Sequence, residues 1–189
     1  MSDTVNTLAR ALFESWKNNK PLEMSDCSGM LNDFETAYAV QEAVCALKAQ
    51  GCGGFKISLT SEQTQKLFDT NEPLYGENIP SHIIASPVDL TLASMNEPLI
   101  EVELAMTAKE DLTTGLSDEE LLSRVTVSGD IEVPDARFRA WFPTLNKYLV
   151  VADCAVGGYI VHGEPVDGAT LSVKDLKNIH VDLTLNGTV

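Results

Sequence analysis

The sequence predicts an α+β fold, and the main evidence is a change in the spacing of its apolar residues near residue 53. Before this point, apolar residues recur at helical spacing in two segments, 4–17 and 34–50. After it, several segments alternate apolar and polar residues, as strands with one buried face do. A chain of 189 residues is long enough to bury a core. We therefore expect one structural domain, with an N-terminal helical segment at residues 1–52 and a strand-rich segment at 53–189.

The helices are expected at segments that carry start or stop signals. The first helix, at 4–17, has a single apolar stripe. Asp33 is placed to cap the second helix, and Gly51 is placed to end it. Two capping-box patterns predict short helices that begin after Thr60 and after Ser117.

Strands separated by turns are expected in the rest of the chain. The strands predicted after residue 60 are 83–90, 99–106, 125–133, 155–161 and 179–185. Residues 71–76 are expected to form a turn and loop. Asn186-Gly187 is a strong signal for a hairpin turn, yet the chain ends at Val189 without a return strand. Because native proteins avoid an exposed edge of this kind, we expect the chain to be a truncated version of a longer protein.

The composition limits the partners and the compartment of the chain. It has 28 acidic and 13 basic residues, a formal net charge of −15, and no cluster of Lys and Arg. Nucleic acids and anionic membranes require a basic surface, so neither is an expected partner. No stretch approaches the roughly 18 apolar residues of a membrane span, and the N-terminus lacks the apolar core of a signal peptide. The four cysteines show no C-x-x-C spacing, which fits reduced thiols in the cytoplasm.

Residues 99–106 alternate strictly, so a strand there has two chemically different faces. One face carries Glu101 and Glu103, whose carboxylates repel each other unless a cation lies between them. The other face is apolar and is expected to join the core; it contains Ile100, Val102, Leu104 and Met106. Mg²⁺ prefers oxygen ligands of the kind that the two glutamates offer. An edge strand with a solvated outer face would show the same pattern, so the pattern alone leaves both interpretations open.

The strand expected at 53–59 contains a lysine among apolar residues. Its apolar side chains face one way, and Lys56 faces the other. A lysine in such a position is ordinarily a surface residue whose stem covers apolar neighbours. If it is desolvated instead, its ammonium group becomes a candidate for proton transfer.

Six stretches between residues 37 and 163 carry a family resemblance. They are Ala37-Tyr38-Ala39-Val40-Gln41, Gly54-Phe55-Lys56-Ile57-Ser58-Leu59-Thr60-Ser61, Pro73-Leu74-Tyr75-Gly76, Ile100-Glu101-Val102-Glu103-Leu104-Ala105, Ile131-Glu132-Val133-Pro134-Asp135-Ala136-Arg137 and Asp153-Cys154-Ala155-Val156-Gly157-Gly158. In this order they resemble the 2-keto-4-pentenoate hydratase and 4-oxalocrotonate decarboxylase family, within the fumarylacetoacetate hydrolase superfamily. The fold that the resemblance implies is a mixed, mostly antiparallel β-roll of the type found in the C-terminal domain of fumarylacetoacetate hydrolase, with the N-terminal helices packed on it.

The resemblance also implies a metal site. Glu101, Glu103 and Glu132 would be the carboxylate ligands of Mg²⁺ or Mn²⁺. Lys56 would face the same pocket, where it would contact the substrate and take part in catalysis.

Three further residues would bind substrate by the same resemblance. They are Leu74, Asp135 and Arg137. For Asp135 and Arg137 a second interpretation is open, because adjacent opposite charges also brace turns.

The activity that the resemblance implies is that of a metal-dependent lyase. Its substrate would be a 2-keto-enoic acid from the catabolism of aromatic compounds, and the reaction would be decarboxylation of the 4-oxalocrotonate type or hydration of the 2-keto-4-pentenoate type. Hydratases of the family usually have an aspartate at the second position of P-D-[YF]-G. Leu74 stands there in this chain, which favours decarboxylation slightly because water addition loses a base.

Two other functions are alternatives to a metal-dependent lyase. An acylpyruvate-type hydrolase of the same superfamily would need a histidine paired with a carboxylate, and His82, His162 and His180 lie outside any such motif. Family members continue past the hairpin turn into further strands and a glycine-rich stretch that contacts substrate. The absence of that segment and the presence of Leu74 would fit a non-catalytic partner subunit, but such a subunit has no need of the three glutamates and Lys56. The resemblance implies a homo-oligomer, or a complex with a paralogous hydratase or decarboxylase subunit, that acts on a small 2-keto acid.

Overall fold

The computed structural model describes residues 3–188 and confirms the α+β prediction. The α-helices are α1 (Asp3–Asn18), α2 (Met24–Cys27), α3 (Phe34–Lys48), α4 (Glu62–Leu67), α5 (Asp118–Ser123), α6 (Lys147–Ala152) and α7 (Val173–Lys177). The strands are β1 (Gly54–Ser58), β2 (Leu74–Asn78), β3 (Ile83–Ala85), β4 (Glu101–Ala108), β5 (Val125–Val133), β6 (Tyr159–His162) and β7 (Val166–Asp167). Within these residues, no helix combines the length and the apolar character that a membrane span requires.

The described chain forms two compact units that alternate along the sequence. Unit 1 contains residues 3–84, 89–99 and 133–159. Unit 2 contains residues 85–88, 100–132 and 160–188. This division differs from the boundary expected between residues 52 and 53, because β1 and β2 belong to the same unit as the N-terminal helices.

The core of unit 1 is built around α1, α3 and α6, where α3 packs against the other two helices. Leu8 and Leu12 of α1 and Val40 of α3 are fully buried, as the spacing of apolar residues predicts. Burial of each such side chain contributes about 1.5–3 kcal/mol. The predicted cap of α3 is confirmed, since the side chain of Asp33 accepts a hydrogen bond from the backbone N–H of Thr36 at 2.7 Å.

Helix α6 differs from the sequence expectation, which predicts no helix before a strand at 155–161. Four consecutive residues of α6, from Leu149 to Ala152, are buried, so the helical periodicity that marks a half-buried helix is lost. The local start signal is Asn146, whose side chain accepts a hydrogen bond from the N–H of Tyr148 at 2.9 Å. A 3₁₀ turn follows at Cys154–Val156, and the strand begins only at Tyr159.

A buried ion pair fixes the chain after β5 to the end of α6. Nε of Arg137 donates to Oδ1 of Asp153 at 2.5 Å, and the backbone N–H of Arg137 donates to Oδ2 at 2.8 Å. The two Nη atoms donate to the carbonyl oxygens of Gly157 and Asp153. Burial alone would lower the pKa of Arg137, but the carboxylate of Asp153 outweighs burial, and the pKa lies above its ordinary value. The hydrogen bonds that the Arg137 guanidinium donates therefore go to Asp153 and to the carbonyl oxygen of Gly157.

We expect Asp153→Ala to lower the free energy of unfolding by about 3–5 kcal/mol, because it leaves the guanidinium of Arg137 buried without its carboxylate. Urea unfolding followed by circular dichroism measures the change. The matched control is Glu62→Ala, which removes the partner of Lys66 from an exposed i,i+4 pair and should cost less than about 0.5 kcal/mol. Equal losses in the two variants would contradict a special role for the buried pair.

Strands β1 and β2 form an antiparallel sheet in which Lys56 lies opposite Gly76. The expected turn and loop at 71–76 is confirmed at 71–73 and wrong from Leu74 onward, since pairing with β1 draws residues 74–76 into a strand. Lys56 is only 7% exposed, whereas Phe55 and Ile57 on the opposite face are 62% and 57% exposed. The structure thus shows that Lys56 is desolvated and that the apolar side chains of Phe55 and Ile57 are exposed.

Gly76 is required by a close approach of two backbones. A Cβ atom at this position would lie 2.0 Å from the carbonyl oxygen of Cys154 and 2.8 Å from Cβ of Ala155. Both are far inside van der Waals contact, so only glycine lets β2 pack against the 3₁₀ turn. The strand that pairs with Lys56 is held in place by this contact.

The Gly76→Ala variant should be destabilised by about 1–3 kcal/mol or more, because the added methyl group displaces backbone rather than a flexible side chain. Gly129→Ala is the matched control in a strand, since a Cβ atom at Gly129 meets nothing within 4 Å. We expect it to leave stability unchanged or to raise it, because alanine has less conformational freedom to lose on folding. Thermal unfolding of both variants tests the difference, and a tolerated Gly76→Ala would show that the contact relaxes.

Unit 2 contains an antiparallel strand pair and a small core of its own. Of the five-stranded sheet with the order β3-β6-β5-β4, in which β7 also pairs with β5, unit 2 contains β4, β7, β5 up to Glu132 and β6 from Ile160. The β4–β5 and β5–β7 pairings are antiparallel. Leu122, Val125 and Val127 are buried and pack against apolar residues of α7. The capping box predicted at Ser117 is confirmed at the start of α5.

The apolar face of β4 does not join a core among the described residues, so that expectation is wrong. Ile100 is 59% exposed and Met106 is 50% exposed, while Leu104 is 36% exposed and Val102 is half-buried. β4 is the end strand of the sheet order. Alternation shows which residues share a face, but it does not show whether a second layer covers that face.

The last predicted strand, at 179–185, is also wrong, because this segment forms no ladder in the structure. Its alternation of apolar and polar residues is present, but no neighbouring strand supplies backbone partners within residues 3–188. The hairpin turn at Asn186-Gly187 is confirmed, since Leu185 and Thr188 exchange backbone hydrogen bonds of 2.9 and 3.0 Å. Both turn residues have positive φ, as a type I′ turn requires.

Two smaller expectations also need correction. Helix α4 is capped by Ser61, not by Thr60, because the hydroxyl of Ser61 accepts a hydrogen bond from the N–H of Thr64 at 3.1 Å. The strand expected at 83–90 is limited to Ile83–Ala85, and Pro87, which has no N–H to donate, follows it closely.

Candidate metal centre

The register of β4 on β5 brings three glutamates to one face of the sheet. Glu101 lies directly opposite Glu132, and Glu103 lies two residues further along the same strand. Residues that are directly opposite in an antiparallel pair, and residues two apart in a strand, share a face. Both the alternation of β4 and the pairing with β5 are therefore needed to assemble the cluster.

The three carboxylates lie close enough to share one ion. An oxygen of each lies within 4.8 Å of an oxygen of the other two, and Glu132 is buried whereas Glu101 and Glu103 are exposed. At such a separation two negative charges repel by about 1 kcal/mol in water and by several times more near a protein interior. This repulsion opposes the arrangement unless a cation compensates it.

The donor set fits a hard divalent cation. Mg²⁺ takes oxygen ligands at 2.0–2.1 Å, so neighbouring ligands of an octahedral site are about 3 Å apart and opposite ligands about 4 Å apart. The carboxylate oxygens lie within 4.8 Å of one another, so binding of the ion would draw them closer together. Glu101, Glu103 and Glu132 could therefore hold such an ion and leave further positions for water or substrate.

A second polar group lies on the same face, and sequence analysis missed it. Asp130 is directly opposite Glu103 and is buried. One oxygen of Asp130 lies 2.9 Å from Nδ1 of His162, and the other accepts hydrogen bonds from the hydroxyl of Ser128 at 2.6 Å and from the N–H of Gly163 at 3.2 Å. The only available signal was the position of Asp130 two residues before Glu132, because His162 is remote in sequence.

Lys56 and Leu74 belong to unit 1, and the structure places them on one face of the β1–β2 sheet. Leu74 is opposite Ser58, two residues from Lys56, and both Lys56 and Leu74 are buried. Leu74 belongs to the hydrophobic core of unit 1. The three glutamates belong to unit 2, so a shared pocket for Lys56 and the glutamates stays a prediction.

Asp135 and Arg137 also belong to unit 1, where their polar groups are engaged. The carboxylate of Asp135 accepts hydrogen bonds from the backbone N–H groups of Asn96 and Glu97 at 2.8–3.1 Å. Arg137 is paired with Asp153, as described above. Both residues line a cavity of about 320 Å³ within unit 1. Their contacts favour the bracing interpretation, although the opposite charges of Asp135 and Arg137 are not paired with each other.

The proteins that are similar to this chain in sequence include two 2-keto-4-pentenoate hydratases. The chain is 31% identical over 163 residues to the hydratase of Paraburkholderia phymatum, and the alignment covers 83% of this chain and 60% of the hydratase. It is 29% identical over 172 residues to the hydratase of Burkholderia vietnamiensis, and this alignment covers 86% of the chain and 64% of the hydratase. The chain is similar in sequence to 2-keto-4-pentenoate hydratases. The family resemblance carried by the six stretches is thereby confirmed, although no family model matches the chain.

The fold is shared with solved structures of 4-oxalocrotonate decarboxylase from Pseudomonas putida G7. The structure complexed with magnesium and adipate superposes with a TM-score of 0.77 at 21% identity, covering 88% of this chain and 65% of that one. The structure complexed with calcium and acetate gives the same TM-score at 20% identity. The chain spans about three fifths of the length of the curated relatives that it matches.

If the three glutamates hold a cation, Mg²⁺ or Mn²⁺ should raise the melting temperature of the wild-type chain but not that of Glu101→Gln/Glu103→Gln. A ligand at 100 times its Kd stabilises the folded state by about 2.7 kcal/mol, which is a shift of several degrees for a chain of this size.

The control for this experiment removes two acidic charges elsewhere. Asp118→Asn/Glu119→Gln changes exposed residues of the first turn of α5 and should keep the full metal-dependent shift. A shift that persists undiminished in Glu101→Gln/Glu103→Gln would show that the cluster is a solvated acidic face.

Proposed function

We propose that the chain carries the metal centre of a divalent-metal-dependent lyase that acts on a 2-keto-enoic acid derived from aromatic catabolism. The observation that supports this most is the cluster of Glu101, Glu103 and Glu132 on adjacent strands, in a chain related to 2-keto-4-pentenoate hydratases. A scaffold without chemistry has no need of a bound ion, so metal binding by this cluster separates an enzyme from a partner subunit.

The three glutamates would hold Mg²⁺ or Mn²⁺ in this proposal. The ion, when bound, supplies a Lewis acid that withdraws electron density from the carbonyl of a 2-keto acid. The likeness to a decarboxylase solved with magnesium and a dicarboxylate supports this choice of group. The protein's own part is to fix three oxygen donors on two hydrogen-bonded strands, so that little rearrangement is needed on binding.

Lys56 is proposed as the substrate-contacting and catalytic lysine. Its ammonium group is buried on a short strand, where a cation attracts the carboxylate of a substrate far more strongly than it does in water. Lys56 could hold the distal carboxylate in place or return a proton to carbon.

Decarboxylation is favoured over hydration by the environment of Leu74. Hydratases of this family usually have an aspartate at this position, whereas here a fully buried leucine packs in the core of unit 1. Addition of water needs a base near the distal alkene. Loss of CO₂ needs mainly an electron sink, which the 2-keto group provides. The proposal therefore ranks 4-oxalocrotonate-type decarboxylation first.

A C–C hydrolase acting on acylpyruvates is the second candidate, and one observation favours it. Such an enzyme needs a histidine paired with a carboxylate to activate water, and the structure pairs His162 with Asp130 at 2.9 Å. Hydrolysis of an acylpyruvate would release pyruvate and a second carboxylic acid without CO₂. Product analysis therefore separates this candidate from both lyase activities.

The finer fold and the assembly belong to the same proposal. The TM-score of 0.77 supports a β-roll of the type found in the C-terminal domain of fumarylacetoacetate hydrolase. The exposed apolar face of β4 supports an assembly of several chains, either copies of this one or a paralogous hydratase or decarboxylase subunit. A stable interface of this kind would need about 1,200 Å² or more of buried surface.

The decisive experiment is calorimetric titration of the chain with Mg²⁺ in the presence and absence of oxalate, which mimics the two chelating oxygens of a 2-keto acid. We expect metal binding that tightens at least tenfold with oxalate and that is lost in Glu101→Gln/Glu103→Gln. CO₂ release from 4-oxalocrotonate is then measured, followed by hydration of 2-keto-4-pentenoate. A chain that binds no divalent cation, or binds it without regard to oxalate, would not support a keto-acid enzyme.

For Lys56→Met we expect a fall in kcat of about 100-fold or more, since methionine keeps the buried stem but removes the ammonium group. The control is Lys66→Met, which removes an exposed lysine on α4. Unchanged kcat in Lys56→Met would assign Lys56 a packing role instead.

A further inference from the structure

We propose that His162 is a proton-transfer group of the same site, with Asp130 as the residue that orients it. The inference rests on the proposed function, because the substrate that exchanges the proton is the 2-keto acid held beside the three glutamates. It adds a residue that none of the six stretches of family resemblance contains.

The hydrogen bonds define which ring nitrogen carries the proton. The hydroxyl of Ser128 lies 2.6 Å from an oxygen of Asp130, and a carboxylate can only accept, so the hydroxyl hydrogen is directed to Asp130. The same hydroxyl oxygen lies 3.2 Å from Nδ1 of His162. Because its hydrogen is directed to Asp130, it can only accept a hydrogen bond from Nδ1. Asp130 also accepts from Nδ1, at 2.9 Å. Both neighbours therefore require a proton on Nδ1.

The consequence is that neutral His162 presents an unprotonated Nε2. Within residues 3–188, no hydrogen bond involves this nitrogen, and the side chain is 28% exposed. A carboxylate that accepts from Nδ1–H holds the ring in one orientation and in the tautomer whose Nε2 is unprotonated. The Asp130 carboxylate also stabilises the imidazolium that forms when Nε2 takes a proton. These are the properties of a general base.

The ring lies on the same face of the sheet as the glutamates. Asp130 is directly opposite Glu103, and Glu132 is two residues further along β5. His162 reaches Asp130 and Ser128 from the neighbouring strand β6. The chain after it passes close to β5, since a Cβ atom on Gly163 would lie 2.3 Å from the carbonyl oxygen of Gly129. All of these residues belong to unit 2.

The step that this geometry supports is the exchange of a proton at C3 of the 2-keto acid. Nε2 takes the proton as the C3–H bond breaks, and the electron pair of that bond forms a double bond between C2 and C3. The carbonyl electrons move to the 2-oxygen. The reverse step returns the proton from the imidazolium to C3, so charge and atoms balance without any further reactant.

The test is the exchange of the methyl protons of pyruvate with D₂O, followed by proton NMR in the presence of Mg²⁺. We expect the wild-type chain to catalyse the exchange, and both His162→Gln and His162→Ala to lose it by at least about 100-fold. Both variants should keep oxalate-dependent Mg²⁺ binding. Added imidazole should restore exchange to His162→Ala, because the small base can occupy the space that the side chain leaves. The control His180→Ala changes an exposed histidine and should exchange pyruvate at the wild-type rate.

The outcomes separate this inference from the proposed function. If wild-type and variant chains bind Mg²⁺ and oxalate equally and His162→Gln still exchanges pyruvate at the wild-type rate, the inference is overturned and the metal centre stands. Binding without exchange in the wild type also overturns it. If the wild type binds neither Mg²⁺ nor oxalate, the proposed function fails, and the assignment of His162 fails with it. Loss of exchange in His162→Ala without rescue by imidazole would assign the pair a structural role.

Discussion

The antiparallel register between β4 and β5 is the constraint on which the candidate site depends. Eight residue pairs fix this register, and together with the alternation of β4 it brings Glu101, Glu103 and Glu132 to one place. The backbone hydrogen bonds of the two strands hold the carboxylates together against their mutual repulsion. The ligands lie on strands and not on flexible loops. Folding therefore preorganises the site before a cation binds. The same register brings Asp130, and through it His162, to that face.

In unit 1 a series of direct contacts connects a buried charge to the strand of Lys56. The pair of Arg137 and Asp153 fixes the end of α6. The next three residues, Cys154–Val156, all have positive φ, a conformation that costs free energy for residues other than glycine. Their carbonyl side packs on Gly76, and Gly76 is the partner of Lys56 in the β-ladder. The strained turn is stable because the ion pair and the bare glycine accommodate it on both sides.

Elements whose signals are local are predictable from the sequence, whereas features that depend on contacts with residues remote in sequence are not. The helix caps at Asp33 and Ser117 and the turn at Asn186-Gly187 depend on nearby atoms only, and each is present. The alternation of β4 gave the correct partition of its side chains into two faces. It could not show that the apolar face is exposed. Likewise, nothing in the sequence connects His162 with Asp130, because their contact arises only when β6 lies beside β5.

The two faces of β4 also determine which kinds of mutation the strand tolerates. Even-numbered positions carry the apolar side chains and odd-numbered positions carry Glu101 and Glu103, so point substitutions on one face leave the other intact. An insertion or deletion of a single residue within the strand would exchange the two faces from that point onward. It would set an aliphatic side chain beside Glu132 and turn a carboxylate away from it. The length of this strand is therefore under stricter constraint than the identity of most of its residues.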